Sequence, residues 1–239
     1  MSAPYPSWRI EPVGDRCLMV AFPDRVEADI NQAVHALAAR LIARLPEGVT
    51  DVVPAFSTLA VHYRPDVRAG SQPMHERLQT LLEALLAEGR PPAGGPARQI
   101  EIPVCYGGEF GPDLEEVGKA CGLSPDEVVR RHAASDHVVC MLGFAPGFPY
   151  LGGLDPSLAM PRRASPRVRI PPGTVAIARE QSAIYTLETP GGWNLIGRTA
   201  VALFTPLSEP PTLLQPGDRV RFRPVPAEAL AQAQARVLA

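Results

Sequence analysis

The chain has 239 residues, of which 46% are hydrophobic, so it is long enough to bury one large core or two modest ones. Its formal net charge of −2 argues against a general nucleic-acid binder, which usually carries a basic surplus. Because no apolar run reaches the roughly 18 residues that cross a bilayer and the first residues lack a signal-peptide pattern, we expect a cytoplasmic protein that binds no membrane.

The first part of the chain predicts a small α+β domain. Strands are predicted at Ser7–Val13, Cys17–Phe22, Val49–Phe56 and Thr58–Tyr63, and helices at Ile30–Leu45 and Ser71–Glu88. Both helices repeat apolar residues at spacings of three and four, which places them on one face. The order β-β-α-β-β-α predicts a sandwich in which both helices cover one face of a sheet.

The stretch Gly89–Gln99 holds almost no apolar side chain and is dense in proline and glycine. Such a composition is typical of a boundary between domains. We therefore predict an N-terminal α+β domain over residues 1–90 and a second domain over residues 98–239.

The second domain begins with a strand and two helices. The strand is predicted at Ile100–Tyr106, and the first helix at Leu114–Cys121. Ser124 then begins a capping box, in which its hydroxyl accepts from the amide of Glu127 and a proline occupies the first helical position. This helix is predicted to end near Ala134.

Short strands separated by proline and glycine dominate the remainder of the second domain. They are predicted at Asp136–Phe144, Arg167–Ile170, Thr174–Ala178, Ala183–Glu188, Asn194–Thr199, Val201–Phe204 and Asp218–Arg223. Their spacing predicts a closed or nearly closed β-barrel. Gln215–Asp218 carries a type II turn signal, and the alanine-rich end, Pro226–Ala239, predicts a terminal helix.

The loop Gly143–Leu154 combines three aromatic residues, Phe144, Phe148 and Tyr150, with glycines and prolines. Because proline restricts the backbone and glycine frees it, such a loop can hold its rings in one geometry without regular secondary structure. We expect it to line a pocket or an interface. The alternative is a buried Ω-loop that only packs.

A local positive field comes directly after this loop. Between Asp155 and Glu180 there are five arginines and no acidic residue: Arg162, Arg163, Arg167, Arg169 and Arg179. A guanidinium fork binds a carboxylate or a phosphate in bidentate fashion. Beside a rigid aromatic pocket, such an arginine could recognise a small organic acid; the alternative is a solvated basic strand face.

Neutral hydrogen-bonding groups lie next to the arginines. Gln181, Ser182 and Tyr185 come after them, and a tight Pro-Gly-Gly turn places the indole of Trp193 near whatever it covers. Ser182 is not part of a GxSxG elbow, so it is not predicted to be a nucleophile. His137 is the best-placed candidate for a general base, although a structural role is the alternative.

Several kinds of site are excluded by the residues present. The four cysteines show no CxxC spacing and the five histidines form no HxH or HExxH pair, so we predict no metal site. Lys119 is the single lysine, which excludes a Walker A lysine and a lysine for biotin attachment. The glycine pairs do not form a GxGxxG motif, so a Rossmann nucleotide site is not expected.

The motifs taken together resemble one family. They are Gly143–Asp155, Pro161–Arg163, Pro166–Arg167, Ile170–Ala178 and Pro190–Thr199. This set is similar to the signature of the KipI/PxpB family, which includes allophanate hydrolase subunit 1 and a domain of urea amidolyase. The resemblance is close over about residues 137–204, and the order of elements fits the whole chain.

The resemblance implies a cyclophilin-like barrel after a small α+β domain, hence a mainly β, α+β protein. It also implies two partners, a homologous KipA/PxpC-type barrel subunit and a LamB/YcsF-type subunit. Such an assembly would be an ATP-dependent 5-oxoprolinase that opens 5-oxoproline to glutamate, with ATP used at the level of the complex.

On this basis, candidate site residues can be assigned. The catalytic candidates are His137, Arg162 and Arg163, and the substrate-binding candidates are Phe144, Phe148, Tyr150, Arg167, Gln181, Tyr185 and Trp193. One of Arg162, Arg163 and Arg167 would pair with the substrate carboxylate. Three alternatives stay open: inhibition of a sporulation-type histidine kinase, a role related to allophanate hydrolase or urea amidolyase, and a scaffold that only docks the partner barrel.

Overall fold

The structure is a computed structural model that describes residues 3–25, 27–67, 72–90 and 98–230. The chain divides into two compact units, Met1–Pro96 and Ala97–Ala239. In the described part, no helix has both the length and the apolar character that crossing a bilayer requires.

The first unit contains a four-stranded antiparallel sheet and two helices. The strands are β1 (Arg9–Pro12), β2 (Cys17–Ala21), β3 (Val49–Pro54) and β4 (Thr58–Tyr63), and the helices are α1 (Ala28–Ile42) and α2 (Met74–Ala87). The strand order is β1-β2-β4-β3. The apolar stripes of both helices join the sheet in one core, which includes Val34, Leu37, Leu78 and Leu82.

The second unit is built on a closed barrel of seven strands. They are β5 (Gln99–Tyr106), β6 (His137–Leu142), β7 (Pro149–Gly152), β9 (Thr174–Ala178), β10 (Gln181–Ile184), β12 (Asn194–Arg198) and β13 (Arg219–Pro224). Their order around the barrel is β10-β7-β6-β13-β5-β12-β9. A separate ribbon pairs β8 (Arg167–Ile170) with β11 (Thr189–Gly191). The prediction of a mainly β, α+β fold with a barrel is confirmed.

Two helices, α3 (Leu114–Cys121) and α4 (Pro125–Ala134), connect β5 to β6. Gly122 ends α3 in the left-handed conformation, with φ of +67°, which glycine adopts without a steric penalty. Ser124 caps α4, since its hydroxyl oxygen accepts from the amide of Glu127 at 3.2 Å. The predicted cap of this helix is therefore present.

The observed strands differ from the predicted ones at three places. Strand β7 lies within the stretch that was predicted to be irregular loop, and it pairs with both β6 and β10. Strand β10 is shifted toward the N-terminus, because the chain leaves the barrel after Tyr185 and the Thr186 hydroxyl donates to the carbonyl of Pro146 at 2.8 Å. The segment 201–204 is not a strand: Leu203 is buried in the core, while the backbone makes only one isolated bridge, at Phe204.

The predicted turn at Gln215–Asp218 is present. The amide of Asp218 donates to the carbonyl of Gln215 at 3.1 Å, and Gly217 has a φ of +89°. Residues 227–230 are helical, but the rest of the predicted terminal helix lies outside the described residues. The same holds for most of the predicted linker, residues 91–97, and for the predicted start of α2 at Ser71.

Candidate functional site

Phe148 is the centre of a cluster of aromatic rings in the second unit. Its ring is 5.0 to 6.4 Å from four others, in edge-to-face or nearly edge-to-face geometry; the four are Phe144, Tyr150, Tyr185 and Trp193. Phe148 is only 2% exposed. Edge-to-face pairs at these distances stabilise beyond the area they bury, so the five rings form one ordered wall.

The loop backbone holds one of these rings in solvent. Phe144 has a φ of +70° and is 64% exposed. A non-glycine residue in this left-handed region carries a conformational cost, which the loop offsets with a hydrogen bond from the amide of Gly143 to the carbonyl of Phe148 at 3.1 Å. The loop thus presents an exposed aromatic side chain in a conformation that is costly to maintain.

Tyr185 lies beneath the turn that carries Trp193. A Cβ atom on Gly191 would lie 2.2 Å from the Tyr185 hydroxyl oxygen, so this close approach requires glycine. Burial raises the pKa of Tyr185 to about 12, although the Trp193 amide that donates to its oxygen and the charge of Arg162 act in the opposite direction. The phenol is therefore protonated at neutral pH.

Arg162 lies over the indole of Trp193, with its Cζ atom 5.9 Å from the ring centroid. The backbone on either side of it is fixed by hydrogen bonds. The Asn194 side chain donates to the carbonyl of Pro161 at 2.9 Å, and the amide of Arg163 donates to the carbonyl of Gly192 at 2.7 Å. Arg162 is thus exposed but anchored, and within the described residues its guanidinium has no carboxylate partner.

The charge of Arg162 also reaches the phenols of the ring cluster. Burial raises the pKa of Tyr150, and the positive charge of Arg162 offsets part of that rise in pKa. Arg162 acts in the same direction on the pKa of Tyr185. One exposed cation therefore lies over a mostly buried group of rings, in which Trp193 is 5% and Tyr185 2% exposed and Tyr150 is half-buried.

Asp113 pairs with two of the other predicted arginines, and Glu116 pairs with one of them, Arg163, at 3.0 Å. Arg167 donates two hydrogen bonds to its carboxylate, at 2.7 and 2.9 Å, and Arg163 donates one at 3.0 Å. The amide of Leu195 donates a further one at 2.7 Å. The Asp113 side chain is 4% exposed, so this is a buried, fully hydrogen-bonded ion-pair network.

No local sequence pattern identifies Asp113 as part of this region. It precedes α3 and lies about 50 residues before the arginines it binds. The other arginines lie elsewhere: Arg169 pairs with Glu188 at 3.6 Å, and Arg179 lies in the exposed turn between β9 and β10. Of the five predicted arginines, Arg162 is the one that stands over the ring cluster.

His137 is not part of this surface. Its side chain is 1% exposed and packs against His132 and Phe222. Burial lowers its pKa to about 4, so it is neutral at pH 7. Gln181 begins β10 in a half-buried position, and no side-chain hydrogen bond to it is present in the described residues. The functional roles of both residues stay predictions.

A second polar arrangement is buried in the second unit, between α4 and strands β5 and β10. Tyr106 is 2.8 Å from His132 Nδ1, and His132 Nε2 is 2.8 Å from the hydroxyl of Ser182, which donates to the carbonyl of Ala176 at 3.3 Å. The Ser182–His132 pair has the spacing of a nucleophile and its base. Both residues are fully buried, so no substrate reaches them and the pair satisfies buried polar groups instead.

Other candidates have structural explanations. Asp155 caps a short turn, where its carboxylate accepts from the amide of Ser157 at 2.9 Å. Two depressions of about 330 and 320 Å³ lie around residues 134–136, and neither is lined by Arg162 or Trp193. Within the described part of the chain, no three His, Cys, Asp or Glu side chains are grouped closely enough to hold a metal ion.

Comparison with known proteins places the chain in a family. A family model for the carboxyltransferase domain, subdomain C and D, matches residues 8–214. The B subunit of 5-oxoprolinase from Bacillus subtilis (strain 168) is 46% identical over 220 residues, which are 90% of this chain and 92% of that protein. The B subunit of 5-oxoprolinase from Escherichia coli O157:H7 is 42% identical over 212 residues, which are 89% of this chain and 94% of that protein.

A solved structure supports the fold. In the crystal structure of the Kluyveromyces lactis urea amidolyase, 15% of that chain matches 95% of this one, with a TM-score of 0.78 and 19% identity. The resemblance to the KipI/PxpB family is confirmed by the sequence matches. The chain belongs to the family of the carboxyltransferase domain, subdomain C and D, together with the proteins named as B subunits of 5-oxoprolinase.

Proposed function

We propose that this chain is a subunit of an ATP-dependent 5-oxoprolinase complex that opens 5-oxoproline to glutamate. Its similarity to two proteins named as B subunits of 5-oxoprolinase covers about 90% of each chain, so it concerns the whole chain rather than one motif. The other subunits in this proposal are a KipA/PxpC-type barrel and a LamB/YcsF-type protein.

The observation that carries the proposal is the position of Arg162. Its exposed guanidinium lies over Trp193 without a carboxylate partner in the described residues, whereas Arg163 and Arg167 are paired with Asp113 and Glu116. The substrate 5-oxoproline bears one carboxylate and one lactam amide. We assign Arg162 to the carboxylate, which a guanidinium fork binds in bidentate fashion.

In this reaction, the role of this chain is to bind and position the substrate. In the net reaction, water adds to the lactam carbonyl carbon, the C–N bond breaks, and the nitrogen leaves as the amine of glutamate. Arg162 would hold the substrate at its carboxylate, and the half-buried ring of Tyr150 would orient the lactam ring. Such positioning lowers the barrier by fixing the lactam relative to the groups that attack it.

The site in this chain is open, which favours completion by a partner. Phe144 is exposed in a costly backbone conformation, and Arg162 is exposed beside the same ring cluster. Exposed aromatic residues and arginines are enriched at protein interfaces. A partner barrel that covers this surface would exclude water from the bound lactam and supply the missing catalytic groups.

The residues of this chain do not fit a site for ATP. The single lysine, Lys119, lies within α3 and not after a glycine-rich loop, and the sequence carries no phosphate-binding motif. We therefore assign ATP to the complex and derive no step of its use on this chain.

The experiment is reconstitution with omission. ATP-dependent glutamate release from 5-oxoproline is measured with this chain, the KipA/PxpC-type subunit and the LamB/YcsF-type subunit, and then with each omitted in turn. Activity that requires this chain supports the proposal. Full activity in its absence would refute it.

A further inference from the structure

Arg198, at the end of β12, is a second arginine in contact with an aromatic ring. Its Cζ atom lies 5.6 Å from the ring centroid of Phe110. Its Nε atom is buried and has no hydrogen-bond partner. Buried donors in folded proteins are almost always paired, whereas no contact within the described residues satisfies this end of the guanidinium.

The contrast with Asp113 makes the observation specific. The stretch that follows β5 carries both Phe110 and Asp113, and Asp113 supplies a carboxylate to Arg163 and Arg167 within 3.0 Å. In the part of the chain that the structure describes, no carboxylate lies within 4.0 Å of Arg198. The protein therefore neutralises two arginines beside this stretch and leaves the third without a counter-charge.

We propose that Arg198 binds a compact oxyanion, either a phosphate or a carboxylate group of a small molecule. Its site is separate from Arg162. Asn194, which anchors the backbone beside Arg162, begins β12, and Arg198 ends it, about 13 Å away along the strand. The inference does not depend on the proposed function.

The surroundings of Arg198 favour an anion over a structural role alone. Phe110 contacts the guanidinium from one side, which leaves the terminal nitrogens for the bidentate geometry that oxyanions accept. The aliphatic stem passes close to Gly173, where a Cβ atom would lie 3.5 Å from Arg198 Cγ. A fixed fork loses less conformational freedom when it binds, and an oxyanion bound at the terminal nitrogens would supply the counter-charge that Arg198 lacks.

The test uses nuclear magnetic resonance of the arginine Nε–H groups and of the Phe110 amide. The full chain is titrated with inorganic phosphate and, separately, with acetate, at constant ionic strength because surface charges are screened by salt. We expect a saturable shift of the Arg198 Nε–H and Phe110 signals. Arg198→Lys keeps the charge but loses the fork, and it should weaken the effect on the Phe110 amide at least tenfold.

Two control variants distinguish anion binding at Arg198 from general charge effects. Arg221→Lys changes an exposed arginine of β13 and should leave the titration unchanged. Phe110→Leu keeps Arg198 but removes the ring, and it should weaken binding even if Arg198→Lys fails to fold. A response to phosphate alone would indicate a phosphate-bearing ligand, and a response to acetate alone a carboxylate. No saturable shift with either anion, or equal shifts in wild type and Phe110→Leu, would overturn the proposal.

Discussion

Asp113 accepts two hydrogen bonds from the guanidinium of Arg167, at 2.7 and 2.9 Å, across 54 residues of sequence. The same carboxylate accepts from Arg163 and from the amide of Leu195. This buried network joins the start of α3 to β8 and β12. It fixes the segment that carries Arg162. It also occupies Arg163 and Arg167, which are therefore not available to bind a ligand.

The Asp113 network predicts a large loss of stability for one variant. Asp113→Asn leaves Arg167 without a negative charge and Arg163 with Glu116 alone, and breaking a buried ion pair costs about 3 kcal/mol of unfolding free energy. Urea unfolding followed by the fluorescence of Trp193, in a Trp8→Phe background, measures this loss. Glu116→Gln is the matched control, because Glu116 also binds Arg163 but its side chain is 65% exposed; equal stability of both variants would contradict the account.

The close contact at Gly191 predicts that alanine substitution has different effects at two adjacent glycines. Gly191→Ala would place a Cβ atom 2.2 Å from the Tyr185 hydroxyl oxygen, whereas the nearest atom to a Cβ on Gly192 is 3.6 Å away. We expect Gly191→Ala to cost about 1 to 3 kcal/mol and to change the Trp193 emission. Gly192→Ala should do neither. Identical Trp193 emission spectra and identical urea unfolding midpoints for the two variants would show that the Tyr185 hydroxyl does not restrict the turn.

Buried His137 predicts a loss of stability in acid. Its pKa is about 4 in the folded chain, below the ordinary value near 6.5. Between these values the unfolded chain binds more protons, so stability rises with pH. The contribution of His137 to the free energy of unfolding is therefore complete above about pH 6.5. It falls by about 3 kcal/mol as the pH is lowered toward 4.

Urea unfolding of the second unit between pH 7 and pH 4 measures this dependence. His137→Gln should flatten the curve, even though it lowers stability at pH 7. His75→Gln, which changes an exposed histidine of α2, is the control and should retain the wild-type slope. A wild-type slope in His137→Gln would assign the acid sensitivity to other groups, such as His132.

Phe144 predicts different effects on stability and on function. Phe144→Gly relieves the left-handed backbone conformation at φ of +70°, which is worth about 1 kcal/mol, but it loses the edge-to-face contact with Phe148, which is worth about as much. The variant should therefore be about as stable as wild type. It should nevertheless bind the KipA/PxpC-type subunit more weakly, as measured by calorimetry. Unchanged binding would show that Phe144 does not contact the partner.

Local sequence patterns predicted much of the fold. The helix Leu114–Cys121, the strand Thr174–Ala178 and the Ser124 cap were all found as predicted, because short-range spacing and turn residues determine them. The strand prediction at 201–204 was wrong, since apolar residues there pack into the core without forming a ladder. Strand β7 was not predicted, because it has only four residues and the glycines and prolines around it are typical of a loop.

The candidate site was predicted less completely than the fold. The aromatic residues and arginines were identified from composition, and Phe148, Tyr150, Tyr185 and Trp193 do lie together. The neutralisation of Arg163 and Arg167 could not be predicted, because it depends on Asp113 approaching from a distant part of the sequence. The same reason applies to the burial of His137 against Phe222.

The most direct test of the central claim is the dependence of the reconstituted complex on Arg162. We compare kcat/KM for 5-oxoproline in complexes that carry Arg162→Gln or Arg169→Gln, the latter changing an exposed arginine that pairs with Glu188. Loss of a charge-assisted pair costs about 1.5 to 3 kcal/mol, so Arg162→Gln should lower kcat/KM about 10- to 100-fold, with KM raised and the complex intact. Equal kcat/KM for wild type, Arg162→Gln and Arg169→Gln would contradict the assignment of Arg162 to the substrate carboxylate.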